Sequence, residues 1–230
     1  MTRHRLLLGL LALVLATVAS TTLLARAGAR PDPCATKGAQ ARERGAVVTG
    51  SGARVLVIGD SYSVGAGVRP DQSWPVRLPG RVRVDGFSGS GFTRGASPCG
   101  DVSYATRAAA RHLAGVDLVV VEGGLNDVDQ PLADLDAGYE RLRRALGERP
   151  LLVVGPPAVP LLPYDDVAAV DARLAELTAS HGATYLSMLD TALTFQPDRL
   201  HPDAAGHRVF GDRVAERVGQ LLTRRSRPRP

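Results

Sequence analysis

Five short apolar runs, separated by segments with helical spacing, constrain this 230-residue chain more than any other feature. The runs "RVLVIG" (54 to 59), "VRVDGF" (82 to 87), "VDLVVVEGG" (116 to 124), "PLLVVGPP" (150 to 157) and "GATYLSM" (182 to 188) read as strands. The segments "YATRAAARHLAG", "PLADLDAGYERLRRALG" and "VAAVDARLAELTASHG" lie between them, and "DAAGHRVFGDRVAERVGQLL" comes after the last; all four carry apolar residues at helical intervals. Strands that are apolar on both faces belong to a parallel sheet covered by helices. The alternation therefore predicts one α/β domain, a three-layer α/β/α sandwich around a parallel sheet of about five strands. Ligands of such sheets sit beyond the carboxyl ends of the strands, so the strand-end residues are the ones to examine.

The chain has 28 basic and 23 acidic residues, net +5, which invites a nucleic-acid reading until the charge is located. Arg3, Arg5, Arg26 and Arg30 precede the body, and Arg224, Arg225, Arg227 and Arg229 end it. With those eight arginines and Asp32 set aside, 20 basic and 22 acidic residues are left, net −2, so no nucleic-acid partner is expected. Residues 224–230 read as a basic disordered tail.

Residues 1–30 open with Arg3 and Arg5 and then carry no charge from Leu6 to Ala25, the pattern of a signal peptide or an N-terminal signal anchor. Either one exports the remainder of the chain, so the expected location is secreted or extracytoplasmic, with membrane contact only through an uncleaved leader. Cys34 and Cys99 are the only cysteines, and in an exported chain they read as one disulfide. Residues 31–53 read as a polar connector, and residues 54–223 as the functional domain.

The first strand ends in Gly59-Asp60-Ser61, the second in Gly86-Phe87-Ser88-Gly89 and the third in Gly124-Leu125-Asn126-Asp127. A serine hydroxyl needs a neighbouring imidazole to take its proton, and the imidazole needs an acceptor on its other nitrogen. Of the five histidines, His4 is in the leader, His112 and His181 end helical segments, and His207 falls inside the last helix. His201 lies in a strand-end loop three residues after Asp198, a spacing that lets one turn present carboxylate and imidazole together. Ester hydrolysis also requires donors for the oxyanion. Asn126, the only asparagine in the chain, offers a side-chain amide, and Gly89 and Ser61 offer backbone N–H groups.

The ordered blocks "GDSYS", "GFSGSG", "GLND" and "DRLH" resemble those of the SGNH hydrolases, also called the GDSL esterase/lipase family, from about Arg54 to Gly219. The resemblance implies a flavodoxin-like sandwich, a nucleophile at Ser61, a base at His201 oriented by Asp198, and oxyanion donors at Ser61, Gly89 and Asn126. Gly91 is an alternative to Gly89. The sequence departs from the family pattern at Tyr62, where the family name has Leu, and at Asp85, where many members carry Asn.

The resulting expectation is an exported, monomeric serine esterase acting on small-molecule, lipid or glycan esters, with no cofactor and no metal. A carbohydrate O-deacetylase or acyltransferase on the same site is the alternative within catalysis, and a non-catalytic binding module on the same fold the alternative outside it. A dinucleotide loop at Gly65-Ala66-Gly67 fails because Pro70 holds the third glycine position. The apolar stretch "AVPLLPY" (158 to 164) reads equally as an acyl-site wall or as packing on the sheet edge.

Overall fold

The computed structural model describes residues 32–226; the expected leader and the last four residues of the expected tail lie outside them. Five parallel strands form the sheet: β2 (Arg54–Gly59), β3 (Arg81–Gly86), β4 (Leu118–Glu122), β5 (Leu151–Val154) and β6 (Thr184–Leu186). A sixth strand, β1 (Val48–Thr49), pairs antiparallel with β3 at the edge, giving the order β1-β3-β2-β4-β5-β6. Two residues are too few for a periodic signal, which is why the sequence does not reveal β1. The stretch read as a connector holds helix α1 (Pro33–Ala46), where Asp32 accepts the Cys34 amide at 3.0 Å. Cys34 and Cys99 are both disulfide-bonded.

Side chains on successive strand residues point to opposite faces, and each face has its own cover. Leu56, Ile58, Val119 and Val121 pack against α3 (Tyr104–Ala109), α4 (Leu132–Leu146) and α5 (Tyr164–Ser180) through Ala108, Leu142 and Leu174. Val55, Val57, Val120 and Val154 pack against Trp74 and against Phe210, Val214 and Val218 of α6 (Ala204–Ser226). Each fully buried Val, Leu or Phe side chain contributes roughly 1.5–3 kcal/mol relative to exposure. Helices on both sides of a mostly parallel sheet make the three-layer sandwich. Helix α6 continues into the stretch read as a tail, as far as Ser226. No helix among the described residues is long and apolar enough to cross a membrane.

One strand departs from the expectation of two apolar faces. In β3, Val82 and Val84 are buried while Arg81 and Arg83 are exposed. The chain runs from β2 to β3 on one side and returns to β4 on the other, so the order of strands reverses at β2. A crevice opens at the carboxyl end of a strand with such a reversal, and β2 ends immediately before Asp60 and Ser61.

Candidate active site

Gly59 ends β2, and the chain turns at once into the one-turn helix α2 (Ser61–Val64). Asp60 caps that helix by accepting the Tyr62 amide at 2.9 Å, and Gly65 closes it in the left-handed region at φ 84°. The turn is packed from below. A Cβ on Gly59 would stand 2.1 Å from Ser63 Oγ and 2.6 Å from Glu122 Oε2, so only glycine fits there. Ser63 Oγ donates to Glu122 Oε2 at 2.6 Å.

Three buried carboxyl groups lie around this turn. Burial pushes Asp60 up to about 7, against the Tyr62 amide that favours its ionised form. Burial raises Glu122 well above the usual carboxylate range and brings Asp127 to about 6, although the Thr93 and Phe92 amides oppose the rise at Asp127. Charge on any one of them disfavours charge on the others. Arg107 opposes part of this rise at Asp60 and Glu122: Nη2 donates to Gly59 O and to Ser90 Oγ, each at 2.9 Å, and Nη1 reaches Asp85 Oδ1 at 3.2 Å.

Ser61 Oγ lies 3.0 Å from His201 Nε2, and His201 Nδ1 lies 2.7 Å from Asp198 Oδ2. The other carboxylate oxygen of Asp198 accepts the Leu200 and His201 amides at 3.0 and 2.9 Å. Desolvation works to raise Asp198, but the His201 hydrogen bond and these two amides outweigh it and hold the carboxyl at about 2. Arg199, between them, is the one non-glycine residue with positive φ (61°) among the described residues. Its left-handed backbone folds the loop back on Asp198. The loop is also tied outward: Tyr62 Oη donates to Leu200 O at 2.6 Å, Leu161 N donates to Arg199 O at 3.1 Å, and Arg199 Nη2 donates to Pro160 O at 2.6 Å.

Asn126 sits on the turn after β4, with Nδ2 donating to Ser90 O at 2.9 Å and to Asp60 Oδ2 at 3.1 Å. A cleft of about 300 Å³ runs past Ser61 and Asn126 and is walled by Leu125, Leu161, Leu162 and Leu200. Gly89 does not line it. At φ 81° Gly89 has a left-handed backbone, and a Cβ there would stand 2.9 Å from Nζ of Lys37, the chain's single lysine. Gly91 has a separate reason to be glycine, because a Cβ would stand 2.5 Å from Asp127 Oδ2.

The remaining described histidines lie elsewhere. His181 Nδ1 is 2.8 Å from Leu177 O and Nε2 is 2.9 Å from Glu140 Oε1, while His112 lines a different cavity. His207 is fully buried beside Tyr62, and burial pushes it down to about 4.

Sequence reasoning does not reach Glu122, Arg107 or the Tyr62 tether. For Glu122 a signal existed, since it is a carboxylate ending an otherwise apolar strand run. For Arg107 none did, because an arginine on a helical segment reads as solvated.

A serine turn at the switch point of an α/β/α sandwich, within hydrogen-bond reach of an imidazole that is itself held by a carboxylate, has the geometry of the serine-dependent carboxylic ester hydrolases. The family model of the GDSL-like Lipase/Acylhydrolase family matches residues 57–209, and the chain belongs to that family and that enzyme class. Solved structures share the fold. Est24, a carbohydrate acetylesterase from Sinorhizobium meliloti, superposes with a TM-score of 0.63 at 18% identity, covering 74% of this chain and 100% of that one. The aryl esterase of M. Smegmatis gives 0.61 at 21% identity, with 74% and 100% covered. A family two carbohydrate esterase from Clostridium thermocellum, in complex with cellohexaose, gives 0.59 at 15% identity, with 74% and 65% covered. No curated protein matches the chain in sequence.

Proposed function

We propose that this protein is an exported esterase that cleaves short-chain carboxylic esters through Ser61, His201 and Asp198. The hydrogen-bonded series Ser61 Oγ to His201 to Asp198, at 3.0 and 2.7 Å, carries the proposal. Ser61 Oγ attacks the acyl carbon while His201 Nε2 takes the hydroxyl proton, and Asp198, ionised at any pH well above 2, stabilises the imidazolium. The tetrahedral intermediate collapses, the C–O bond to the alcohol breaks, and His201 returns its proton to the leaving oxygen. Water then attacks the acyl-serine with His201 as base, releasing the acid and restoring Ser61.

The Ser61 backbone N–H and the Asn126 amide serve as oxyanion donors, with Gly89 as the third. Ser61 N and Gly89 N have no backbone acceptor among the described residues. Asn126 would share a hydrogen now given to Asp60 or Ser90, tightening onto the oxyanion only as charge develops. The leucine-walled cleft of about 300 Å³ fits a short acyl group better than a long one. An acetyl ester on a sugar meets that limit, and two of the similar structures are carbohydrate esterases. The leader's uncharged run and the disulfide support export.

Ser61→Ala should abolish turnover of an activated short-chain ester, and a serine-directed organophosphate should label Ser61 alone. Asn126→Ala should lower kcat by roughly 10²- to 10³-fold with KM little changed. Wild-type turnover in folded Ser61→Ala protein would defeat the proposal.

A further inference from the structure

A second cavity, of about 840 Å³, shares no lining residue with the Ser61 cleft and is bounded by α1, by the start of β2, by β3 along its length as far as Phe87, and by α3 with the turn after it. Its origin is the departure of β3 from the pattern of a doubly covered strand. In parallel register Arg54 pairs with Arg81 and Leu56 with Arg83, so one face of this edge presents guanidinium groups where the neighbouring strands present core. Helix α1 turns Gly38, Ala41 and Gly45 toward the cavity, and these small residues leave it open.

Six arginines line the cavity, Arg42, Arg54, Arg81, Arg83, Arg107 and Arg111, against one carboxylate, Asp85. Asp85 is already engaged by Arg111 Nε at 2.6 Å and by Arg107 Nη1 at 3.2 Å. The Arg54 guanidinium lies over Gly115, where a Cβ would stand 1.8 Å from Nη2. The side chains of Arg42, Arg81 and Arg83 have no hydrogen-bond or ion-pair partner among the described residues. Terminal charge does not explain this concentration, since the body between the two termini is net −2. Like charges gathered on a low-dielectric wall focus a positive potential that recruits anions.

We propose that this cavity binds a small soluble molecule carrying two or more phosphate groups. Guanidinium forks match phosphate oxygens in bidentate geometry, and three unpartnered arginines call for more charge than one monoanion supplies. The volume falls in the range, on the order of 300–1,000 Å³, that holds small molecules. The three unpartnered arginines are exposed, and they come from two elements, Arg42 from helix α1 and Arg81 and Arg83 from β3, so they line one cavity from both sides and a compact soluble polyanion can meet all three. The proposal is independent of the chemistry at Ser61.

The test is titration calorimetry of the purified protein with tripolyphosphate, orthophosphate and citrate at constant ionic strength. Tripolyphosphate should bind with one-to-one stoichiometry, at least tenfold tighter than orthophosphate and tighter than citrate. The double variant Arg81→Ala/Arg83→Ala should weaken it by at least tenfold while esterase turnover stays within twofold of wild type. Arg42→Glu, on a different element, should weaken it similarly and provides the test if the double variant is poorly folded. Binding unchanged within twofold in folded variants, citrate binding tighter than tripolyphosphate, or no saturable tripolyphosphate binding would each overturn the proposal.

Discussion

The turn that carries Ser61 and the loop that carries His201 face each other across 3.0 Å, one enclosed by the core and the other near the surface. Around Ser61, Asp60 and Glu122 are 1% and 2% exposed, and burial raises both carboxyl groups. Beside His201, the Asp198 side chain is 47% exposed and its carboxyl is lowered to about 2 by hydrogen bonds. The Ser61 turn is held by packing, because a strand end and a glycine leave it nowhere else to go. The Asp198–His201 pair is held by directed hydrogen bonds within a short loop, two of them from that loop's own amides to one carboxylate oxygen. Damage to the first region should therefore appear as lost stability, and damage to the second as lost rate in a folded protein.

Among the variants that separate the two regions, Asp198→Asn gives the largest expected effect. With the imidazole's acceptor altered, kcat should fall by up to roughly 10⁴-fold at neutral pH, while the melting temperature moves little. A large drop in melting temperature would show that the loop is held by packing after all. Gly59→Ala should do the reverse. The added methyl meets Ser63 Oγ and Glu122 Oε2, so the cost is about 3 kcal/mol or more, read from denaturant unfolding, with lost activity tracking lost folded protein.

On the packed side, stability should also depend on pH. His207 is lowered from 6.5 to about 4 by burial, so the unfolded chain binds more protons between these values. Its contribution to stability is present above about 6.5 and is lost as pH falls toward 4, up to about 3 kcal/mol in all. His207→Leu should remove that part of the acid destabilisation. Asp60 and Asp127, raised to about 7 and about 6, act in the opposite sense, since the folded state keeps protons that the unfolded chain loses as pH rises above about 4. The wild-type profile should therefore be flatter than either set alone predicts, and should slope downward with pH once His207 is replaced. An unchanged profile in His207→Leu would show that burial does not govern this histidine.

The smallest expected effect belongs to Arg199. Arg199→Ala removes the guanidinium contact to Pro160 O but keeps a non-glycine residue in the left-handed region. It should lower kcat/KM by about tenfold or less, since the lost hydrogen bond is exposed. Arg199→Gly, which relieves the backbone conformation, should be the more stable of the two. Equal stability of both variants would remove the argument from backbone conformation.

Local pattern was enough to read five strands, their helices and the three-layer class, because apolar periodicity is written in consecutive residues. Four short blocks in order also made Ser61, His201, Asp198 and Asn126 candidates, since each is defined by neighbours a few positions away. The short β1 strand, the helix at Pro33–Ala46 and the charged face of β3 were not legible. A two-residue strand has no period, and "VRVDGF" looks like a buried strand until its neighbours are known. The contacts that assemble the site lie further beyond reach: Ser61 to His201 spans 140 residues, Tyr62 to Leu200 138, and Ser63 to Glu122 59. Such distances are set by strand register and by which helix covers which face, quantities that no window of consecutive residues contains. The sequence by itself thus determined which groups could do chemistry, and the packed sheet alone decided that the Glu122 carboxyl of β4 would lie beneath the Ser61 turn and that Asn126 would point its amide at Ser90 and Asp60.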